Sequence, residues 1–119
     1  GLGDVYKRQA YLGANLSFEF AAAHQVRPDA ETLCAMMRAL TGKDKLEILR
    51  RCAAEPFSAA QLAASMNLNS GTVSRNVYGL YKLGYLETRG DGERVNYITR
   101  PDALERLFSW VLEYVSEQK

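Results

Sequence analysis

Four hydrogen-bonding side chains lie within five positions of each other: Thr72, Ser74, Arg75 and Asn76. Arginine and asparagine bind guanine and adenine edges in the major groove of DNA through two hydrogen bonds at once. Threonine offers a methyl group to thymine or a hydroxyl group to phosphate. An ordinary solvated helix surface is the alternative, but such a surface more often mixes Glu with Lys. The cluster therefore predicts contacts with base edges.

A second set of polar residues suits the phosphate backbone instead of the bases. Ser70 precedes this cluster at the expected start of a helix, where free amides and the helix dipole favour phosphate. Asp91 and Glu93 would repel phosphate at a predicted turn, so the arginines on either side of it are the predicted contacts. A plain solvated turn, and lysines that merely cover a helix, remain the alternatives. The predicted backbone contacts are Ser70, Lys43, Lys45, Tyr78, Lys82, Arg89 and Arg94.

Two short helices joined by a tight turn are predicted to position these side chains. Ser58 can cap the first helix, and Asn69 can cap the second, because both side chains accept hydrogen bonds from free amides. Gly84 stands where a left-handed stop would end the second helix. Apolar residues recur at helical spacing in both segments: Leu62, Ala63 and Met66, then Val73, Val77, Leu80 and Tyr81. This pattern predicts a helix-turn-helix.

The flanking segments complete a mainly α fold with one small hairpin. Asp29 caps a first helix, and Lys43 or Asp44 begins a second, for which Leu46, Ile48, Leu49 and Cys52 are predicted to be buried. After Gly84 the period changes to two over residues 85–89 and 94–99, which predicts a β-hairpin. Pro101 begins a last helix. The predicted fold is a winged helix-turn-helix in the order α-α-α-α-β-β-α.

Composition limits the other possibilities. A chain of 119 residues that is 24% charged favours one folded domain. The net charge of +1 supplies no basic surplus, so any nucleic-acid affinity must come from where the charges lie. Two cysteines outside any CxxC pair fit a reducing compartment, and no apolar run reaches the ~20 residues of a membrane span. The chain is therefore predicted to be cytoplasmic, with no membrane partner.

The N-terminal part is predicted to stand apart from this domain. Residues 1–9 lack an initiator Met and any period, and they are interpreted as a non-native leader. Residues 10–28 form an N-terminal segment that could be the remnant of a longer region, with an Ala, Leu and Phe-rich stretch from Ala10 to Gln25 that could be a helix. Residues 29–119 are predicted to be the DNA-binding domain with its C-terminal dimerisation helix.

The motifs of this domain resemble the ArsR-type bacterial transcriptional regulators, roughly from Ala35 to the C-terminus. The likeness is carried by several short strings: Ala39-Leu40, Leu46-Glu47-Ile48-Leu49, Gln61-Leu62-Ala63, Leu68 with Thr72-Val73-Ser74-Arg75, and Leu83-Gly84-Tyr85-Leu86. MarR-type winged helices share parts of this pattern. The resemblance implies a homodimer on a palindromic operator, usually a repressor, with its outer helices near Leu33 and Leu107 at the dimer interface.

The family's metal sites do not carry over. Many members bind metals through Cys-x-Cys on the first helix of the helix-turn-helix, or through His and Asp on the terminal helix. Residues 61–65 and 104–117 contain no Cys or His here. His24 cannot form a site alone, because structural zinc takes four ligands. We expect no metal site and no cofactor, and the sequence identifies no effector.

The last helix carries more apolar side chains than a small core can cover. These lie on more than one side of the helix, which predicts a dimer interface. A lost N-terminal region that covers the same surface is the alternative. The predicted interface residues are Leu33, Met37, Leu104, Leu107, Phe108, Val111, Leu112 and Val115, with Trp110 and Tyr114 at the margins.

Three further interpretations remain open. Cys34 and Cys52 could form a thiol sensor if their helices pack together, although buried cysteines are usually inert. The domain could be a non-catalytic dimerisation module like that of plant-type O-methyltransferases, but no cofactor-binding βαβ unit follows it. It could also be a protein-protein adaptor. No catalytic motif is present, so the chain is predicted not to be an enzyme.

Overall fold

Helices make up most of the chain, and one hairpin interrupts them. The structure is a computed structural model that describes residues 26–90 and 94–117. Within those residues the elements are α1 (Ala30–Arg38), α2 (Lys43–Ala54), α3 (Ala59–Met66), α4 (Ser70–Lys82), β1 (Leu86–Gly90), β2 (Val95–Thr99) and α5 (Pro101–Ser116). The predicted order is confirmed. The leader and the Ala10–Gln25 stretch lie outside the described residues. None of the described helices is long and apolar enough to cross a membrane.

Side-chain caps define where three of the helices begin. The Asp29 carboxylate accepts a hydrogen bond from the Thr32 amide at 2.8 Å, at the start of α1. Ser58 and Gln61 form a reciprocal capping box at the start of α3. Asn69 caps α4. Residue type alone predicts all three caps, because the hydrogen bonds of a helix cap join residues only two or three positions apart.

The hairpin is attached to the helices at its base. Strands β1 and β2 pair antiparallel from Leu86 opposite Thr99 to Gly90 opposite Val95. Gly84 has a φ of 86°, a left-handed conformation that turns the chain from α4 towards β1. On the side of β2 that faces away from β1, the backbones of Tyr97 and Phe57 exchange two hydrogen bonds, of 3.2 and 2.7 Å. The hairpin of β1 and β2, called the wing below, is therefore fixed to the α2–α3 connection.

The core lies where α2, α3, α4 and α5 meet the start of the hairpin. Its most deeply buried side chains include Ile48, Leu62, Val73, Leu107 and Tyr85. The Tyr85 hydroxyl donates a hydrogen bond of 3.3 Å to the Met36 carbonyl oxygen, which links the start of the wing to α1. Burial raises the pKa of this phenol far above its usual range, so the phenol stays protonated and remains a donor.

Two residues that are predicted to lie in the core face outward instead. The two cysteines also differ from each other in burial. Leu46 is exposed because it lies two residues before buried Ile48, about 200° around the helix. Tyr81 is exposed one residue after Leu80, and its ring meets the Tyr97 ring edge-on at a centroid distance of 6.3 Å. Cys34 is exposed whereas Cys52 is buried, and both are free thiols. A disulfide between them is therefore absent here.

Candidate nucleic-acid interface

The turn between α3 and α4 is closed by backbone hydrogen bonds. Asn67 adopts a left-handed conformation with a φ of 55° at the end of α3. The Leu68 amide donates to the Ala63 carbonyl oxygen at 3.0 Å. Asn69 then accepts from the Gly71 and Thr72 amides at 2.8 and 3.3 Å, which begins α4 immediately. The short connection fixes the direction of α4 relative to α3.

Burial of one side of α4 decides which residues face solvent. Val73, Val77 and Leu80 are buried against the other helices. Since residues advance by about 100° along a helix, Arg75 and Lys82 point almost directly away from that side. Thr72 and Asn76 both lie on one flank of the buried side and are half-buried. The remaining predicted α4 contacts are all exposed: Ser70, Ser74, Arg75, Tyr78 and Lys82.

The outward side chains of α4 carry positive charge and no negative charge. Arg75 and Lys82 are its charged residues, since its sequence contains no Asp or Glu. The Arg75 guanidinium lies 3.5 Å from the Thr72 hydroxyl, and the Lys82 ammonium lies 5.6 Å from the centre of the Tyr78 ring. Both cations are therefore available to a phosphate or a base edge.

The wing carries the two arginines that are predicted to contact phosphate. Arg89 lies in β1 opposite Asn96, and Arg94 directly precedes β2; both side chains are exposed. Asp91 and Glu93 lie outside the described residues. The guanidinium groups of Arg89 and Arg94 are therefore accessible near the end of the hairpin.

The two lysines of α2 differ in how much of their side chains is exposed. Lys43 is exposed at the first position of α2, while Lys45 is half-buried. Lys43 borders an open hollow of about 390 Å³ between α2 and the end of α3. Leu68, in the turn of the helix-turn-helix, lines the same hollow. Lys43 is therefore better placed than Lys45 to reach a backbone that passes this turn.

Arg100 is a basic residue that sequence reasoning missed. It lines an open cleft of about 560 Å³ together with Tyr81 and Lys82 of α4 and Thr88 of β1. Its guanidinium donates to the Asp102 carboxylate at 2.8 Å and lowers the pKa of that carboxyl group. The sequence does show a basic residue directly after the second strand. It does not show the cleft, because the cleft is formed by elements that are distant in sequence.

The predicted interface residues of the terminal helix and α1 divide into three groups. Leu33 and Leu107 are buried in the chain's own core, so they are not available to a partner. Met37, Leu104 and Val111 are half-buried against the same core. Three others project into solvent, with exposures of 58% for Phe108, 66% for Leu112 and 69% for Val115. The excess apolar surface expected of the terminal helix is thus present.

No metal centre is visible in the part of the chain that the structure describes. Within residues 26–90 and 94–117, no three His, Cys, Asp or Glu side chains are grouped so that they could hold a metal ion. His24 lies outside those residues. Burial raises the pKa of the Cys52 thiol to about 11, which disfavours the thiolate needed for metal binding or thiol chemistry.

Several solved transcriptional regulators share this arrangement of helices and wing. An ArsR-like transcriptional regulator from Rhodococcus sp. RHA1 has a TM-score of 0.62 and 21% identity, over 71% of this chain and 78% of its own. The regulator HlyU from Vibrio vulnificus CMCP6 has a TM-score of 0.54 and 19% identity, over 75% of this chain and 91% of its own.

A third likeness is higher in sequence identity. A possible transcriptional regulatory protein from Mycobacterium bovis is 30% identical, with a TM-score of 0.50, over 66% of this chain and 85% of its own. No protein-family model matches the chain, and no curated protein matches it. The chain therefore has the winged helix-turn-helix fold that is seen in ArsR-type transcriptional regulators.

Proposed function

We propose that this chain is a DNA-binding transcriptional regulator that reads its operator with α4. The observation that carries the proposal is the outward face of α4, where Ser74, Arg75 and Tyr78 are exposed and no carboxylate is present. A recognition helix needs hydrogen-bonding groups at the groove and must not repel phosphate. The solved structures of this fold support the proposal, because those proteins are transcriptional regulators.

The base contacts are proposed for Thr72, Ser74, Arg75 and Asn76. Arg75 is the principal candidate, because it is exposed and points away from the core. Thr72 and Asn76 are half-buried on one flank of α4, so they would contact base edges only on that side of the helix. The first turn of α4 presents the exposed Ser70 hydroxyl to phosphate at the positive end of the helix dipole, while the Gly71 and Thr72 amides are already taken by the Asn69 cap.

The wing and the start of α2 are proposed to bind the DNA backbone. Arg89 and Arg94 extend the positive surface of α4 along the hairpin, and Lys43 extends it on the side of the turn. These exposed cations would concentrate positive charge at the proposed DNA contacts although the whole chain has a net charge of only +1. Each of these cations that binds a phosphate should add about 0.9 to the log-log salt slope of binding.

Dimerisation is proposed through the exposed residues of α5. Phe108 and Leu112 lie four residues apart and form an apolar row on the surface. Exposed apolar patches of this kind mark interfaces in soluble proteins. A twofold partner would repeat α4 about 34 Å away on the same side of DNA, so the operator should be an inverted repeat. Repression would follow where such an operator overlaps a promoter.

A selection experiment tests this function directly. The full chain is incubated with a pool of random DNA duplexes, and the bound sequences are recovered, amplified and sequenced over several rounds. We expect an inverted repeat with half-sites about one helical turn apart to be enriched, and to bind at least about a thousandfold tighter than random DNA. A pool without enriched sequence would contradict the proposal, and an enriched single half-site would contradict the dimer.

A further inference from the structure

An apolar groove lies between α1 and the C-terminal half of α5, away from the reading face of α4. It encloses about 180 Å³. Its walls are Leu33, Cys34 and Met37 from α1 and Val111, Tyr114 and Val115 from α5. Cys34, Tyr114 and Val115 are exposed, so this part of the surface lacks a cover among the described residues.

The described chain begins at one wall of this groove. Arg27 donates hydrogen bonds to Glu113 at 3.0 Å and to Glu117 at 2.6 Å. Its guanidinium also lies 5.6 Å from the centre of the Tyr114 ring, and Tyr114 is itself a wall of the groove. Arg27 therefore ties the start of the described chain to the C-terminal end of α5.

The sequence directly before Arg27 is strongly apolar. Between Ala10 and Gln25, Glu19 and His24 are the only acidic or basic side chains. Most of the remaining residues are Ala, Leu, Phe or Tyr. Leu12, Leu16 and Phe20 are spaced four residues apart, which would place them on one side of a helix. Such a helix of 16 residues would be about 24 Å long, the length of α5.

We propose that the segment Ala10–Gln25 docks into the α1–α5 groove of its own chain, with Leu16 and Phe20 against Met37 and Val115. The covalent tether at Arg27 makes this docking intramolecular, so the segment is present at a high effective concentration. Docking covers Cys34 and leaves the Phe108–Leu112 row to a second copy. The proposal stands apart from DNA binding, because none of these residues lies on α4 or the wing.

The reaction of Cys34 with an aromatic disulfide reagent measures whether the groove is covered. Cys34 is exposed on the groove wall, whereas Cys52 is buried and serves as the unreactive internal standard. In the full chain we expect Cys34 to react about tenfold more slowly than in a variant whose segment cannot dock, as for a groove that is open roughly a tenth of the time.

A matched pair of variants identifies the occupant. Leu16→Glu with Phe20→Glu removes the proposed apolar contacts, while Asn15→Glu with Ser17→Glu adds the same charge at polar positions. We expect the first pair to restore fast reaction of Cys34 and the second pair to leave it slow. Equal rates in all three proteins would overturn the proposal, because the segment would not cover the groove.

Dependence on protein concentration separates this docking from dimerisation. Protection by the chain's own segment is the same at every concentration, whereas protection by a second copy disappears on dilution. Protection that disappears on dilution would therefore overturn the proposal in favour of a partner in the groove. Operator binding measured on the same samples reports on the proposed function separately, since the two results can fail independently.

Discussion

Helices α4 and α5 are both amphipathic, but they expose different chemistry on the side away from the core. α4 presents hydroxyl, guanidinium and ammonium groups, with Arg75 and Lys82 pointing outward. α5 presents Phe108, Leu112 and Val115. Polar groups are well solvated in water and need no permanent partner. Exposed apolar side chains are different, because covering them lowers the free energy of the protein in water. A transient partner at α4 and a permanent one at α5, as proposed above, would account for this difference.

The two helices also differ in the sign of their charges. α4 carries no carboxylate, while the C-terminal part of α5 carries Glu113, and Glu117 follows it, both beside Arg27. A DNA backbone is attracted to the first surface and repelled by carboxylates near the second. This separation favours one orientation of the domain on DNA, with α5 directed away from the duplex.

The largest effect is expected when the apolar surface of α5 is made charged. Phe108→Glu with Leu112→Glu should convert the proposed dimer into a monomer, because both side chains are exposed in one chain and buried only by a partner. Sedimentation velocity at micromolar concentration measures the change. Leu107 is unsuitable for this test, since it is fully buried and a charge there would unfold the domain.

The control places the same charges on exposed positions outside α5. Ala53→Glu with Ala54→Glu should leave the association state unchanged, because both alanines are exposed at the end of α2. A wild-type protein that sediments as a folded monomer would contradict the permanent partner of α5. A Phe108→Glu, Leu112→Glu protein that remains dimeric would contradict the position of the interface.

The second effect concerns the reading face of α4. Arg75→Ala should weaken binding to the selected operator by about 1 to 3 kcal/mol, with a smaller decrease on random DNA, because it removes a two-point contact to a base. Fluorescence anisotropy with both duplexes measures the difference. Arg50→Ala is the matched control, since it removes an exposed arginine from α2. Equal weakening on both duplexes would leave Arg75 without a base contact.

The third effect concerns phosphate binding by the wing. Arg94→Ala should weaken binding to all sequences and reduce the log-log salt slope by roughly 0.9, the value for one phosphate. Titrations at several salt concentrations give the slope. If the slope stays that of the wild type, Arg94 does not contact phosphate and the positive surface ends at α4.

The smallest effect is expected for a variant of α4 that changes stability but keeps every hydrogen-bonding group. A Cβ added at Gly79 would meet no atom within 4 Å, and the residue has an ordinary helical conformation. Gly79→Ala should therefore raise the free energy of unfolding by about 0.5 to 1 kcal/mol in urea denaturation. Gly84→Ala is the contrasting control and should destabilise, because the φ of Gly84 is 86°. A destabilised Gly79→Ala protein would mean that α4 tolerates no added side chain there.

Local signals make much of this fold predictable. The caps at Asp29, Ser58 and Asn69 depend on residues two or three positions away, and the hairpin depends on a change of period. Neither the apolar pattern of the last helix nor the family resemblance shows where the core ends, so together they assign Leu33 and Leu107 to the interface although both are buried within the chain. Arg100 escapes sequence reasoning because its cleft is assembled from α4, β1 and the end of β2.

The backbone pairing of Phe57 with Tyr97 has a consequence for hydrogen exchange and aggregation. Because the Tyr97 amide donates to the Phe57 carbonyl oxygen, it should exchange with solvent only when the α2–α3 connection separates from β2. The outer edge of β1 lacks such a neighbour in the described residues, and unpaired edges invite pairing between molecules. Glu87 and Arg89 place charges along that edge, which disfavours fibre-like stacking through the wing.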